Sequence, residues 1–201
     1  FQGATPASMP PRFLAVGRFV AKKGPLDTLE AFALLQGLTD HADACSLVMV
    51  GDGPLLSVVR ERAHQLGLEH LVQFPGVLSP DAVVQEMRRA RVFVQHSRTA
   101  EDGDEEGCPV SVMEAQLCGL PVVATRHGGI PDVVVDQQTG RLVEEGDRWG
   151  MAEAMALLAD RPELAAAWGA AGQRRTQARF TVKHHVDQIT MLLNDLVDLR
   201  P

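Results

Sequence analysis

Six short apolar runs constrain this chain more than any other feature: RFLAVG (12–17), SLVMV (46–50), LVQF (71–74), RVFVQ (91–95), PVVAT (121–125) and RLVE (141–144). None alternates apolar with polar residues. A strand wetted on one face alternates, whereas a strand covered on both faces does not, and the second pattern belongs to parallel sheets. The intervening segments carry helix signals. Pro25 opens a helix with Leu26, Leu29, Phe32, Ala33 and Leu35 along one side, a helix from about 54 to 66 stops at Gly67, and Ser79-Pro80 supply an N-cap and first-turn proline for a helix to about 89. Strands interleaved with helices in this way predict a doubly wound α/β domain of about six parallel strands.

The 201 residues suffice for one good-sized domain or two small ones. The opening Phe1-Gln2-Gly3 reads as a tag remnant, and from the missing start methionine the chain is expected to be an excised fragment of a longer protein. Residues 4–11, ATPASMPP, read as a linker, and 12–180 as the sheet domain. Within it, 149–179 are Ala-rich and helical. Thr181 caps a last helix to about Leu199 with Val182, Val186, Ile189, Leu193, Leu196 and Val197 at helical spacing. That stripe is expected to pack on the parent domain, with docking toward an absent domain as the alternative.

Several function classes are disfavoured by the totals. A hydrophobic fraction of 45% and a charged fraction of 22% are those of an ordinary globular protein, and a net charge of −7 argues against nucleic acid or an anionic membrane as the main partner. The three cysteines, Cys45, Cys108 and Cys118, form no CxxC pair, which fits a reduced, cytoplasmic setting. No apolar run reaches the roughly 20 residues of a membrane span, and no signal peptide is visible. No His/Cys ligand spacing occurs, and no D-x-D at a plausible site, so no metal is expected.

An acidic chain that binds an anion needs a local basic cluster. If the sheet follows the common 3-2-1-4-5-6 order, strands one and four are neighbours and a crevice opens between their carboxyl ends. The loop after strand one is Gly17-Arg18-Phe19-Val20-Ala21-Lys22-Lys23-Gly24, and the loop after strand four is acidic and leads to Glu106. Arg18 and Lys23 form the cluster: a forked guanidinium and a mobile ammonium clamp a diphosphate well. Pro109 suits the first turn of a helix whose N-terminus adds N–H groups and a positive dipole end. Of the acids at 101–106, Glu101, Asp102, Asp104 and Glu105 read as a solvated run. Glu106 and Glu114 stand apart, because an ionised carboxylate accepts two neighbouring hydroxyls, as a ribose or hexose presents them. Glu114, on a largely apolar helix, needs a partner.

With these residues in view, the chain from Phe13 to about Phe180 resembles the C-terminal domain of the "group 1" retaining glycosyltransferases, one Rossmann-like half of the GT-B fold. The resemblance is carried by GRFVAKKG, the E-x7-E of Glu106 to Glu114, EAQLCGLPVVAT, and HGGIPDVV followed by GRLVEEGD. TAEDGDEEGCPVSVMEA looks most like the branch that assembles bacterial exopolysaccharides of the colanic-acid type. The resemblance implies that Arg18 and Lys23, beside Gly17, bind the donor diphosphate, that Glu106 holds the transferred sugar and that Glu114 holds the ribose diol. It implies that backbone N–H groups near Gly107, Cys108, Val110 and Ser111 reach sugar or phosphate, and that Gln73, Phe74 and Gly76 border the base. The GGIP turn at 128–131 is expected to shape the crevice floor, His127 to be a plain loop histidine, and Asp132, where the family often has Glu, to have no role.

The same resemblance implies retaining transfer of a hexose from a UDP- or GDP-sugar to a glycan or lipid-linked acceptor, without a metal. It also implies an absent N-terminal acceptor domain, peripheral contact with the inner membrane face through that domain, and little activity of this piece alone. A non-catalytic nucleotide-sugar binding module or a GT-B epimerase would share the site. A glycoside hydrolase would use two carboxylates but not the basic loop. An NAD-dependent dehydrogenase is disfavoured because no GxGxxG follows the first strand.

Overall fold

The computed structural model describes residues 3–198, so the tag reading at Phe1-Gln2 and the helix end at Leu199 lie outside the described residues, as do the side chains of Leu196 and Val197. The elements run β1 (Arg12–Val16), α1 (Pro25–Leu35), β2 (Ser46–Val50), α2 (Leu56–Gln65), β3 (Val72–Gly76), α3 (Pro80–Arg89) and β4 (Val92–Gln95). They continue α4 (Val110–Cys118), β5 (Val122–Thr125), the single turn α5 (Ile130–Val133), β6 (Gly140–Val143), α6 (Arg148–Asp160), α7 (Pro162–Arg179) and α8 (Val182–Asp198). All six strands are parallel, in the order β3-β2-β1-β4-β5-β6. This is the doubly wound, Rossmann-like sheet that the apolar runs predict.

The missing alternation in those runs has a direct cause. Successive side chains of a strand point to opposite faces, and here each face meets its own core. Phe13, Leu47, Met49, Val92, Val94 and Val123 pack with Leu29 and Phe32 of α1, Val59 of α2 and Met151 and Met155 of α6. Leu14, Val48, Val50, Phe93, Val122 and Ala124 pack with Met87 of α3, Val112 and Ala115 of α4 and Ile130 of α5. Phe13 meets Phe32 edge-on at a 6.1 Å centroid separation.

Four boundaries differ from the sequence reading. β3 continues through Pro75 to Gly76 rather than stopping at Phe74; it is an edge strand, where a proline without N–H is tolerated. The Ala-rich stretch is two helices, parted at Arg161 (φ −122°, ψ 71°), because Pro162 disfavours helical geometry in the residue before it. Residues 4–11 are docked on the body: Ala4 N–H donates to Cys118 O at 3.1 Å, Pro6 and Pro11 are buried, and Met9 O accepts from Arg91. Pro109 is the N-cap of α4 in extended geometry (φ −68°, ψ 119°), not its first helical residue.

The expectation for the last helix is overturned. Thr181 Oγ1 does accept from His184 N–H at 3.3 Å, as a cap should. The apolar stripe, however, faces outward, with Val182 82%, Val186 52%, Ile189 44% and Leu193 57% exposed. Both sheet faces are already covered by the earlier helices, and among the described residues neither core includes a side chain of α8.

Ser79 caps α3 as the sequence predicts, its Oγ accepting from Ala82 N–H at 3.3 Å. Ser79→Ala is expected to cost about 1 kcal/mol, read as a lower urea midpoint at unchanged slope.

Candidate functional site

The site begins where the sheet parts. β1 pairs with β4 through Phe13↔Val92 and Leu14↔Phe93. Past those rungs, Ala15, Val16 and Gly17 on one side and Val94 and Gln95 on the other line a cleft, with Arg18, Phe19 and Lys23 around it. This is the topological switch point, where doubly wound sheets bind ligands.

The loop after β1 is held by its backbone. Gly17 N–H donates to Val50 O at 3.0 Å, Phe19 N–H to Asp52 O at 2.9 Å, and Leu55 N–H to Phe19 O at 3.0 Å. With Phe19 buried, Arg18 projects outward and is exposed, its side chain without a hydrogen bond or ion pair to any described residue. Lys23 ends a short 3-10 turn, Ala21–Lys23, closed by Gly24 in left-handed geometry (φ 50°). A Cβ on Gly24 would stand 1.9 Å from His96 O. Only glycine lets this loop lie so close to the loop after β4.

The two predicted loops meet. Lys23 Nζ is 2.5 Å from Glu106 Oε2, with 18% and 14% of the two side chains exposed, in a charge contact without hydrogen-bond alignment. Lys22, which the sequence reading left out of the cluster, bonds Asp104 Oδ1 at 2.8 Å and Glu105 O at 3.2 Å, while Arg98 N–H donates to Lys22 O at 3.0 Å. The hydrogen bond to Asp104 is the main cause that raises the Lys22 pKa. Asp104 is therefore paired as well as exposed. The loop does spell Asp-Gly-Asp at 102–104, but Asp102 Oδ1 accepts from Asp104 N–H at 3.0 Å. Among the described residues, no cluster of three or more His, Cys, Asp or Glu side chains is arranged to hold a metal ion.

The GGIP turn, expected to shape the crevice floor, lies against the backbone of Glu106 and Gly107. Gly129 N–H donates to Gly107 O at 2.6 Å, and a Cβ on Gly128 (φ +50°) would meet Glu106 O at 2.0 Å. His127 is more than the loop histidine expected. It is buried, its Nε2 accepts from Glu106 N–H at 2.9 Å, and its Nδ1 lies 2.5 Å from Glu145 Oε1. Glu145 Oε2 accepts from Thr99 N–H at 2.9 Å. Burial pushes the Glu145 carboxyl up, but the hydrogen bonds from His127 and Thr99 outweigh it and leave its pKa lowered. A second buried histidine, His96, accepts from Gly146 N–H at 2.8 Å, and desolvation lowers its pKa.

On α4, Ser111 Oγ donates to Gln95 Oε1 at 3.2 Å, and Gln95 Nε2 to Ser97 Oγ at 2.7 Å. Ser111 thus faces the cleft, and Glu114, one turn on, follows the same face. The partner expected for Glu114 is not found among the described residues; the side chain is half-buried, and burial raises its pKa. Cys108 and Val110 are exposed, and the first N–H groups of α4 lack intrahelical acceptors, as at every helix start. The expected base border is only partly assembled. Phe74 packs at 6.3 Å on Phe19, which lines the cleft, with Arg60 over its ring, whereas exposed Gln73 and half-buried Gly76 are not among the residues lining it.

Comparisons with known proteins agree with this fold. The profile of the family described as Glycosyl transferases group 1 matches residues 2–175. The chain is 36% identical over 172 residues to a GDP-mannose-dependent alpha-(1-6)-phosphatidylinositol monomannoside mannosyltransferase of Mycobacterium tuberculosis, covering 85% of this chain and 44% of that protein. It is 34% identical over 143 residues to the amylovoran biosynthesis glycosyltransferase AmsK of Erwinia amylovora, covering 71% and 34%. The chain thus spans less than half the length of these relatives. Among solved structures, S. aureus TarM superposes with a TM-score of 0.81 at 20% identity over 92% of this chain and 36% of that one. Anabaena Alr3699/HepE in complex with UDP-glucose gives 0.78 at 23%, over 94% and 50%.

Proposed function

We propose that this chain, which belongs to the glycosyl transferases group 1 family, is the donor-binding half of a retaining hexosyltransferase that uses a UDP- or GDP-sugar. The observation that carries the reading is the meeting of Lys23 and Glu106, 2.5 Å apart, beside the parting of β1 and β4 and next to exposed Arg18. Arg18 and Lys23 take the diphosphate, Glu106 the hydroxyls of the sugar and Glu114 the ribose diol. N–H groups around Gly107, Cys108, Val110 and Ser111 reach the sugar and phosphates, and Phe74 flanks the base. Relatives named for amylovoran biosynthesis and for mannosylating a phosphatidylinositol monomannoside support a glycan or lipid-linked acceptor.

In the reaction, the bond from the anomeric carbon to the diphosphate oxygen breaks and a bond to the acceptor oxygen forms on the same face. The acceptor proton passes to the departing phosphate. Charge growing on the diphosphate is met by Arg18, Lys23 and the start of α4 rather than by a divalent metal. Acceptor binding belongs to an N-terminal domain, so this chain alone binds donor without transferring it. No helix among the described residues is long and apolar enough to cross a membrane; contact with the cytoplasmic membrane face falls to that other domain.

Calorimetry of the chain with UDP, GDP, UDP-glucose and GDP-mannose tests the reading. Glu106→Ala is expected to weaken the bound sugar nucleotide about tenfold, the worth of one charge-assisted hydrogen bond, and to leave the bare nucleotide no weaker, since Lys23 loses a competitor. Equal losses for both ligands would overturn the assignment of Glu106.

A further inference from the structure

The geometry points to His127, oriented by Glu145, as the positioning residue that sets where Glu106 stands, acting through the acceptor at its Nε2. The inference rests on the reading of Glu106 as the group that holds the sugar.

The hydrogen-bond directions are forced. A backbone N–H only donates, so the Glu106 N–H at 2.9 Å makes His127 Nε2 an unprotonated acceptor. In the neutral ring the proton then sits on Nδ1, which donates to Glu145 Oε1 at 2.5 Å. The second oxygen of Glu145 is held by Thr99 N–H at 2.9 Å, which fixes the carboxylate that fixes the ring. Thr99 stands near the start of the acidic loop and Glu106 at its end. One histidine–carboxylate pair therefore grips the loop at both ends, while residues 101–105 between them are exposed. His127 is 4% exposed and sits just before the Gly128-Gly129 turn against which Glu106 and Gly107 lie. Without the Nε2 acceptor, the Glu106 N–H loses its partner and the carboxylate loses its fixed point of departure.

Three variants separate positioning from general support. Glutamine carries an amide oxygen about as far out as Nε2 and keeps an acceptor for Glu106. Asparagine reaches only as far as Nδ1, so it keeps the Glu145 contact and loses the Glu106 one. In amide exchange followed by NMR, the Glu106 N–H is expected to exchange about tenfold faster in His127→Ala and His127→Asn, and near the wild-type rate in His127→Gln. Calorimetry with UDP-glucose against UDP, and GDP-mannose against GDP, is expected to show a preference for the sugar nucleotide that falls about fivefold in the alanine and asparagine variants and survives in glutamine. Unchanged Glu106 exchange in His127→Ala would overturn the inference. So would exchange that rises equally at Glu106 and at the amides of β2, which would make His127 a support of the whole fold. A wild-type chain without preference for the sugar nucleotide, or a Glu106→Ala chain that keeps it, would overturn the reading of Glu106, while the exchange data would still decide whether His127 holds it.

Discussion

Gly24→Ala is expected to destabilise the chain by about 3 kcal/mol, the sum of a left-handed alanine and a backbone collision. At this length that lowers the thermal midpoint by roughly 10 °C. The collision is specific: the new Cβ would lie 1.9 Å from the carbonyl oxygen of His96 and 3.3 Å from Asp27 Oδ2. Neither neighbour is free to yield. His96 is fully buried and accepts from Gly146, and Asp27 is 3% exposed and held by Arg148 at 2.6 Å. Gly67→Ala is the control, because Gly67 also has positive φ (70°) but nothing within 4 Å of the added carbon. It is expected to pay only the conformational part, about 1 kcal/mol. Equal midpoints for the two variants would show that the close approach of the loops after β1 and β4 is not what requires glycine at position 24.

Lys23→Ala is expected to weaken sugar nucleotide and bare nucleotide alike, about thirtyfold, or about 2 kcal/mol for a charge-assisted bond to phosphate. Two opposing effects stand behind that number. The ammonium must leave Glu106, 2.5 Å away, before it serves a diphosphate, which reduces its net worth. Its removal also leaves a largely covered carboxylate without a counter-charge, which repels an arriving anion. The second effect adds to the loss, and it predicts a signature: Glu106→Gln in the Lys23→Ala background restores part of the bare-nucleotide affinity. Titration calorimetry of the two single variants and the double variant reads all three terms. Wild-type nucleotide affinity in Lys23→Ala would remove the lysine from the diphosphate site.

The fold was legible because strand burial on two faces leaves its mark residue by residue. Every position of β4 and β5 is buried, and the letters VFVQ and VVAT say so without any partner in view. The crevice followed from strand order alone, so Lys23 and Glu106 were brought together on topology. What stayed hidden depends on direction rather than type. His127 and His96 look like loop residues, and only the orientation of single backbone N–H groups at Glu106 and Gly146 makes them acceptors. Lys22 and Lys23 are equivalent as letters, yet the 3-10 turn sends one to Asp104 and the other to Glu106. The α8 stripe was misread because helical periodicity announces an apolar face without saying whether anything remains to receive it.

The slender join between β1 and β4 has a consequence for how the molecule comes into being. Strands β1 to β3 occupy one unbroken stretch, 12–76, and β4 to β6 another, 92–143. As the nascent chain leaves the ribosome, the first three strands can align while the last three are still being made. The seam between them, two rungs long, is the pairing most distant in sequence from its partner, and such distant pairings are the slow ones to form. Until it closes, β1 is a bare hydrogen-bonding rim open to other chains. The proposed donor site thus lies at the part of the sheet expected to zip last.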